Sequence, residues 1–226
     1  MKILVILQSL NICDRNALNN IQKLKKITKV QIDLLACGCK VTEEFLKEAD
    51  ALVDAQSLWI TKGDICHGRQ VFRVVQYLQQ MKGKYDCIFL GCQSPEQLLF
   101  PIGTEFAEYL NIGHVWDVDT IIAKDSEILI SSNFIGCNRC IRMKMPCVLF
   151  FGKRIVRLNY PTVASIIKSG KKVIHSIRIK ESKNEKIVLA NVKNKLRCRV
   201  KQIYLENNIN SGLEEICKII CSLLNN

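Results

Sequence analysis

The sequence predicts an α/β fold in which helices flank a mostly parallel sheet. Short apolar runs at residues 2–8, 30–36 and 86–90 have the length and composition of buried strands. Helical patterns separate these runs, and this alternation is typical of an open, mostly parallel sheet. After Leu110, strand-like segments follow one another directly, which predicts an antiparallel extension of the sheet.

In the first half of the chain, four predicted strands alternate with helices. Asp14 is predicted to cap the first helix and Thr42 the second, and Gly83 is predicted to end the third. In order, the predicted elements are a strand at 2–8, a helix at 14–27, a strand at 30–36, a short helix after residue 42, a strand within 51–60, a helix at 66–81, a strand at 86–90 and a fourth helix that ends near Leu110.

The second half is predicted to extend the sheet and then leave it. Strands are expected at 115–123, 127–132, 134–143, 147–151 and 172–179, with a short helix at 161–168. Residues 180–195 turn polar and are predicted to form a linker, so an α/β domain at 1–180 precedes a C-terminal region at 181–226. That region contains a strand-like arm at 196–205 and an amphipathic helix at 213–224.

Composition limits the classes of function. No apolar run approaches the ~20 residues of a membrane span, and the apolar start of the chain is typical of a first strand rather than a signal peptide. We therefore expect a cytoplasmic protein. The net charge of +12 is compatible with binding to nucleic acid, to a membrane surface or to an acidic protein partner. The basic residues alternate with apolar ones and lack an aromatic platform, so we prefer a solvated surface and do not expect nucleic-acid binding.

The twelve cysteines form no recognisable metal or redox motif. Cys137 and Cys140 have CxxC spacing, but structural zinc takes four ligands and no second pair is present. A redox CxxC is expected at a helix N-terminus, whereas this pair lies between strand-like segments. The histidines at 67, 114 and 175 form no ligand pair, and no Ser/His/Asp set indicates catalysis. We predict neither a metal site nor a catalytic centre.

Residues 85–110 are the predicted position of any nucleotide. A buried strand ends at Gly91, a loop follows, and a helix comes next. Open α/β sheets bind ligands beyond the carboxyl ends of their strands, where a helix N-terminus offers free N–H groups and a partial positive charge.

Several short motifs, taken in order, resemble those of the beta subunit of electron-transfer flavoproteins. After the first strand, the family's Asn-x-x-Asp-x-Asn-Ala-Leu pattern is matched at Asn11, Asp14, Asn16, Ala17 and Leu18. The loop and helix after the fourth strand match at Gly91, Gln93, Ser94, Gly103, Ala107, Glu108 and Leu110. A later segment matches at Pro146, Tyr160, Pro161, Ile166, Lys168, Lys171 and Lys172. The resemblance covers about residues 1–180 and implies a Rossmann-like, adenine-nucleotide-binding fold.

The resemblance also implies a cofactor and partners. The family forms a heterodimer with an alpha subunit that holds most of the FAD, and its beta subunit binds AMP or a second FAD. The implied nucleotide-binding residues are Ile6, Asn11, Cys13, Asp14, Cys37, Gln93, Ser94 and Gly103. The C-terminal arm and helix would bind the alpha subunit. Residues 157–168 resemble the segment that docks an electron-donating dehydrogenase, with docking positions at Tyr160, Val163 and Lys168.

Two departures from the family pattern bear on the nucleotide. The loop has Glu96, Gln97, Leu98 and Leu99 where the family has Asp-Gly-Asp-Thr, and Pro101 removes a further N–H group. The hairpin that helps to cover the flavin in the family is missing. These changes argue against AMP and leave two hypotheses: a redox beta subunit that passes electrons through FAD, and a structural or regulatory paralogue that kept the fold and partner interface.

Overall fold

A computed structural model of the chain describes residues 1–8, 11–37, 41–62, 68–91, 102–124, 126–134, 137–153 and 160–178. The chain divides into two compact units, Met1–Glu181 and Ser182–Asn226, and every described residue lies in the first unit. The predicted linker, arm and terminal helix lie outside the described residues. Within the described ranges, no helix has the length and apolar character needed to cross a membrane.

The described residues form nine strands and five helices. The strands are β1 (Lys2–Leu7), β2 (Gln31–Ala36), β3 (Ser57–Lys62), β4 (Cys87–Gly91), β5 (Gly113–Lys124), β6 (Glu127–Phe134), β7 (Cys137–Lys144), β8 (Cys147–Phe151) and β9 (Ile174–Arg178). The helices are α1 (Ile12–Lys25), α2 (Glu43–Val53), α3 (Gly68–Lys82), α4 (Ile102–Leu110) and α5 (Val163–Gly170). The chain is therefore an α/β protein, as predicted.

The strands form one mostly parallel sheet in the order β7-β6-β5-β8-β4-β1-β2-β3-β9. β1 pairs in parallel with β2 on one side and with β4 on the other. At one edge, β6 pairs antiparallel with both β5 and β7, which confirms the predicted antiparallel extension. β2 and then β3 extend the sheet on one side of β1. β4 is added on the other side of β1, so the order of the strands reverses there.

Side chains of the central strands alternate between two hydrophobic clusters. In β1, Ile3, Val5 and Leu7 contribute to a cluster with α1 and α2. Leu4 and Ile6 contribute to a second cluster with α3 and α4. A strand that is buried on both faces carries a continuous apolar run instead of an alternating one. The central strands therefore appear in the sequence as uninterrupted apolar runs.

The position of β8 differs from the prediction. The sequence predicts residues 147–151 as part of the antiparallel extension, but β8 lies between β4 and β5 and runs parallel to both. All five of its residues are buried, as expected for a central strand. The apolar run predicts a strand, but the neighbours of that strand depend on contacts with distant parts of the chain.

Residues 51–60 contain the end of a helix as well as the predicted strand. α2 continues to Val53, and β3 begins at Ser57. Asp54 ends the helix with a left-handed backbone (φ +48°), and its N–H donates to the carbonyl oxygen of Asp50 at 2.7 Å. A short apolar run occurs in buried helices and buried strands alike, so its composition could not separate the two.

Candidate nucleotide site and docking surface

The carboxyl ends of β1, β2 and β4 meet at one edge of the sheet, since these strands are parallel neighbours. β2 and β3 lie on one side of β1 in the sheet, and β4 lies on the other side. Such a switch point is where open α/β sheets bind ligands. Of the implied nucleotide residues, the structure places five at or beside this edge: Ile6, Asn11, Cys13, Asp14 and Cys37.

The sequence predicts Asp14 as the N-cap of α1, and this prediction is wrong, because Asn11 caps the helix. The Asn11 Oδ1 accepts hydrogen bonds from the backbone N–H groups of Cys13 at 2.8 Å and Asp14 at 3.0 Å. Asn and Asp are about equally good N-caps, so residue type alone did not distinguish the two positions. The cap uses two of the four N–H groups that an anion could otherwise bind at this helix end.

Asp14 is buried in the first turn of α1, with 2% of its surface exposed. Its Oδ2 accepts a hydrogen bond from the Gln8 N–H at 3.3 Å, which ties the end of β1 to the start of α1. Gly91 lies directly against it: a Cβ added at Gly91 would be 2.4 Å from Asp14 Oδ1 and 2.9 Å from the Asp14 nitrogen. The switch point therefore places a carboxylate against the backbone of β4.

The remaining implied residues on this edge are uncharged and buried. Ile6 and Cys13 have no exposed surface, and Cys37 is almost fully buried. Burial raises the pKa of the Cys37 thiol to about 12, although a hydrogen bond with Thr61 acts in the opposite direction. Cys37 is therefore a neutral thiol at physiological pH, and such a thiol behaves as a small apolar side chain.

Gly103 lies in the first turn of α4 and packs against β8. A Cβ added at this position would be 2.0 Å from Cε1 of Phe150, so glycine is needed for the helix to approach the ring. Gln93 and Ser94 lie outside the described residues, as does the altered loop at 96–101. Of the motif after β4, the described residue Gly103 therefore allows α4 to pack against β8.

The described edge of the sheet is a poor site for the phosphate of a nucleotide. A phosphate at the start of α1 would meet the Asp14 carboxylate and N–H groups that Asn11 already binds. Both effects disfavour an anion. Ile6 and Cys37 are packed in a hydrophobic cluster and present almost no surface to a ligand. Any nucleotide bound at this edge needs a different group to hold its phosphate.

Residues 160–173 carry large apolar side chains that are exposed to solvent. The α5 patch consists of Tyr160, Val163, Ile166, Ile167 and Val173, with exposed fractions of 76%, 74%, 51%, 57% and 72%. Positions 163, 166 and 167 have the spacing that places side chains on one face of a helix. Clustered exposed apolar side chains are typical of a protein-binding surface. The implied docking residues Tyr160 and Val163 both belong to the patch.

The third implied docking residue, Lys168, ties α5 to α2. Its Nζ lies 2.6 Å from Asp54 Oδ2. Lys172 Nζ lies 2.9 Å from Asp50 Oδ1 and 2.8 Å from Asp54 Oδ1. We call these four residues the α5 anchor. Asp50 and Asp54 carry no sequence signal of this role, because a pairing between residues more than 110 positions apart leaves no local pattern.

Acid should weaken the α5 anchor. Hydrogen bonds from Lys168 and Lys172 lower the pKa of Asp54 to about 2 from an ordinary value of 3.8. A carboxyl whose pKa is lowered by folding stabilises the fold above its unfolded-state pKa and loses that contribution as the pH falls through the folded value. Because Asp54 is half exposed, we expect it to contribute no more than about 1 kcal/mol.

The measurement is urea unfolding between pH 5 and pH 2 (roughly the window in which a paired aspartate titrates). Over this range, Asp54→Asn should lose less stability than the parent does. Asparagine is chosen because it tolerates the left-handed backbone at this position. Glu44→Gln, an exposed acid on the same helix, is the control and should leave the slope unchanged. Equal slopes for Asp54→Asn and the parent would contradict the assignment.

The cysteine pair on β7 does not form a shared site. Cys137 and Cys140 are free and exposed. Residues three apart in a strand point to opposite faces, so these two thiols diverge. Across the described ranges, no group of three or more His, Cys, Asp or Glu residues is placed to hold a metal ion.

Comparison of the chain with protein-family models gives no match, and comparison with curated proteins gives none either.

Proposed function

We propose that this chain is the beta subunit of a cytoplasmic electron-transfer flavoprotein, which passes electrons through FAD bound together with an alpha subunit. The resemblance over residues 1–180 supports the proposal, and so does one structural observation. The α5 patch exposes apolar side chains at the positions where the resemblance implies partner docking. In this proposal the sheet is of the Rossmann-like type, and residues 181–226 bind the alpha subunit.

The role of the chain in this proposal is positioning. FAD supplies the redox chemistry when it is bound, and the protein supplies orientation and contacts. The α5 patch buries apolar surface against a partner, while the α5 anchor holds the helix in place before docking. A docking surface that is ordered in advance lowers the entropy cost of association. Lys171 is exposed beside the patch and favours a partner with an acidic residue at its rim.

A second candidate function is a structural or regulatory paralogue without redox activity. The specific observation in its favour is Asp14, whose buried carboxylate lies against Gly91 at the switch point. A carboxylate in that position disfavours a bound phosphate. The α5 patch and its anchor would serve a scaffold as well as an electron carrier, so the two candidates differ in cofactor and not in partner binding.

The experiment is co-expression of this chain with an alpha-subunit partner, followed by purification and flavin spectroscopy. The proposal expects a yellow heterodimer that contains FAD. A stable but colourless heterodimer would support the second candidate and reject the first. Failure to form any heterodimer would contradict both. Chromatography of the supernatant after denaturation would then show whether an adenine nucleotide is released from the chain.

Val163→Glu should weaken docking of the electron-donating dehydrogenase at least tenfold. It replaces an exposed apolar side chain of the α5 patch with a charge, and an interface residue of this kind can contribute about 2 kcal/mol. Val163 is the first residue of α5, where glutamate is favourable to the helix, so the fold should be retained. The measurement is the affinity of the flavin-loaded heterodimer for the dehydrogenase by calorimetry.

Ile27→Glu is the matched control, since Ile27 is also exposed, at 69%, and lies outside the α5 patch. It should leave docking unchanged. The flavin content of both variants should equal that of the parent, because neither residue is among the implied nucleotide positions. If the two variants weakened docking equally, the effect would come from added charge and the α5 patch would lose its assigned role.

A further inference from the structure

The strand β7 forms one end of the sheet. It pairs with β6 on one side, and no described strand pairs with its other edge. In an antiparallel strand, every second residue directs its backbone N–H and C=O groups to the same edge. β7 therefore presents a row of hydrogen-bonding groups that no strand in the described part of the chain uses.

β7 lacks most of the features that keep end strands from pairing with other chains. Such strands are commonly short, interrupted by proline or distorted by a bulge. β7 is 8 residues long and contains no proline, and all of its residues except Ile141 and Met143 are exposed. Its pairing with β6 is unbroken from Cys137 to Lys144. The free edge of β7 is therefore regular and accessible enough to accept a further strand.

Basic side chains surround the carboxyl end of β7. Lys124 of β5 and Lys144 of β7 both pair with Glu127 of β6, so the two lysines flank this carboxylate. Arg142 lies two residues before Lys144 and on the same face of the strand. Its Nε is 3.7 Å from Glu127 Oε2, and its side chain is 72% exposed. One carboxylate thus stands among three basic side chains, which leaves an excess of positive charge among the described residues at this corner of the sheet.

We propose that the free edge of β7 binds an acidic segment of a partner protein, which joins the sheet as a further strand. In this mode of recognition, main-chain hydrogen bonds supply the affinity and the side chains beside them supply the specificity. Acidic side chains of the added strand would lie across from Arg142 and Lys144, at the ~5 Å separation of cross-strand neighbours. Opposite charges at that distance stabilise the pairing of two strands.

Other occupants of this edge are less favourable. In an antiparallel pair of two β7 strands, one from each of two copies of the chain, basic side chains would come together, and like charges opposite each other are destabilising. The arm predicted at 196–205 is basic as well. β7 contains no aromatic side chain on which a nucleic-acid base could stack. β7 and β9 lie at opposite ends of the sheet, and this inference does not depend on the proposed electron-transfer function.

The test uses the full chain labelled with ¹⁵N and, as the probe, a peptide as long as β7 in which glutamate alternates with valine. We expect saturable shifts of the backbone amide signals of β7 and slower hydrogen exchange at every second amide along it. A peptide with lysine in place of glutamate should produce no saturable shift. The acidic peptide with every peptide nitrogen methylated keeps its charges but loses its N–H donors. It should bind at least about tenfold more weakly, because several hydrogen bonds are lost.

Two double variants separate local charge from overall charge. Arg142→Gln combined with Lys144→Gln should weaken binding of the acidic peptide about tenfold, since two cross-strand charge pairs are lost. Lys29→Gln combined with Lys84→Gln removes the same charge from two exposed lysines outside β5, β6 and β7, and should bind as the parent does. The amide spectrum of each variant shows whether it is folded, so a loss of binding is not confused with a loss of structure.

Four results would overturn the proposal. The first is the absence of any shift in β7 at concentrations of the acidic peptide roughly tenfold above the millimolar Kd of weak binding. The second is equal binding of the methylated peptide, or an equal loss in both double variants, which would reduce the effect to general charge attraction. The third is tighter binding of oligothymidylate than of the acidic peptide at β7, which would assign the edge to nucleic acid. The fourth is protection of the β7 amides that rises with chain concentration when no peptide is present, which would assign the edge to a second copy of the chain.

Discussion

Replacing Phe150 with alanine should lower the free energy of unfolding by about 3–5 kcal/mol, the usual cost of removing a buried phenylalanine. Phe150 is 1% exposed and lies in β8, in the middle of the sheet. Its ring stacks on Trp116 with centroids 4.3 Å apart, and Gly103 of α4 packs against its edge. Removal of the ring would leave a cavity between β5, β8 and α4, and both contacts would be lost.

Urea unfolding monitored by circular dichroism measures this effect. A loss of 3–5 kcal/mol (about a third to a half of the stability of a typical domain) should leave the variant close to unfolding at physiological temperature. Tyr77→Ala removes an aromatic side chain that is 45% exposed and serves as the control, with an expected change of less than about 1 kcal/mol. Similar losses for both variants would mean that Phe150 is not packed as the structure shows.

Gly91→Ala should destabilise the fold by about 1–3 kcal/mol, as expected for overpacking at a closely packed position. The added methyl group would collide with Asp14 Oδ1 and with the Asp14 backbone nitrogen. The Asp14 side chain can rotate away only by giving up its hydrogen bond from the Gln8 N–H. The Asp14 backbone nitrogen cannot move without shifting α1. Thermal unfolding should show a lower Tm, by roughly 2–4 °C for each kcal/mol.

Gly170→Ala is the matched control, because a Cβ at that position would meet no atom within 4 Å. Its Tm should equal that of the parent. The double variant Asp14→Ala with Gly91→Ala should recover part of the loss caused by the added methyl group, since residues in direct contact are coupled. Recovery should be incomplete because the backbone contact remains. An unchanged Tm in Gly91→Ala would refute the close approach of β4 to α1.

The local elements could be predicted from the sequence because each has its own signal. Thr42 does cap α2, Gly83 follows α3 with φ +81°, and the strand that ends at Gly91 is buried as expected. The insertion of β8 between β4 and β5 could not be predicted, because strand order depends on contacts between distant segments. The short helix predicted at 161–168 is present as α5, whereas its anchoring to Asp54 has no signal in the sequence.

Only part of the candidate site could be predicted, for a related reason. Asn11 and Asp14 lie together after the first strand, and the prediction that Asp14 caps α1 is wrong because residue type does not separate the two positions. Asp14 has its place at the switch point because Gly91, in a strand far along the chain, leaves room for its carboxylate. In β5, Val118 pairs with Ser132 and Thr120 with Ser131, so Asp119 is an extra residue, and no motif in the sequence marks this irregularity.

The place of β8 in the sheet also affects how the chain folds while it is being synthesised. Cys87 of β4 pairs with Cys147 of β8, which lies 60 residues further along the chain. At a synthesis rate of about 5–20 residues per second, the ribosome needs roughly 3–12 seconds to supply the partner of β4. Throughout that interval the nascent chain carries the apolar strand Cys87–Gly91 with one edge open, and an open apolar edge is a site of aggregation. The yield of folded protein in cells should therefore depend on chaperones that act on the nascent chain.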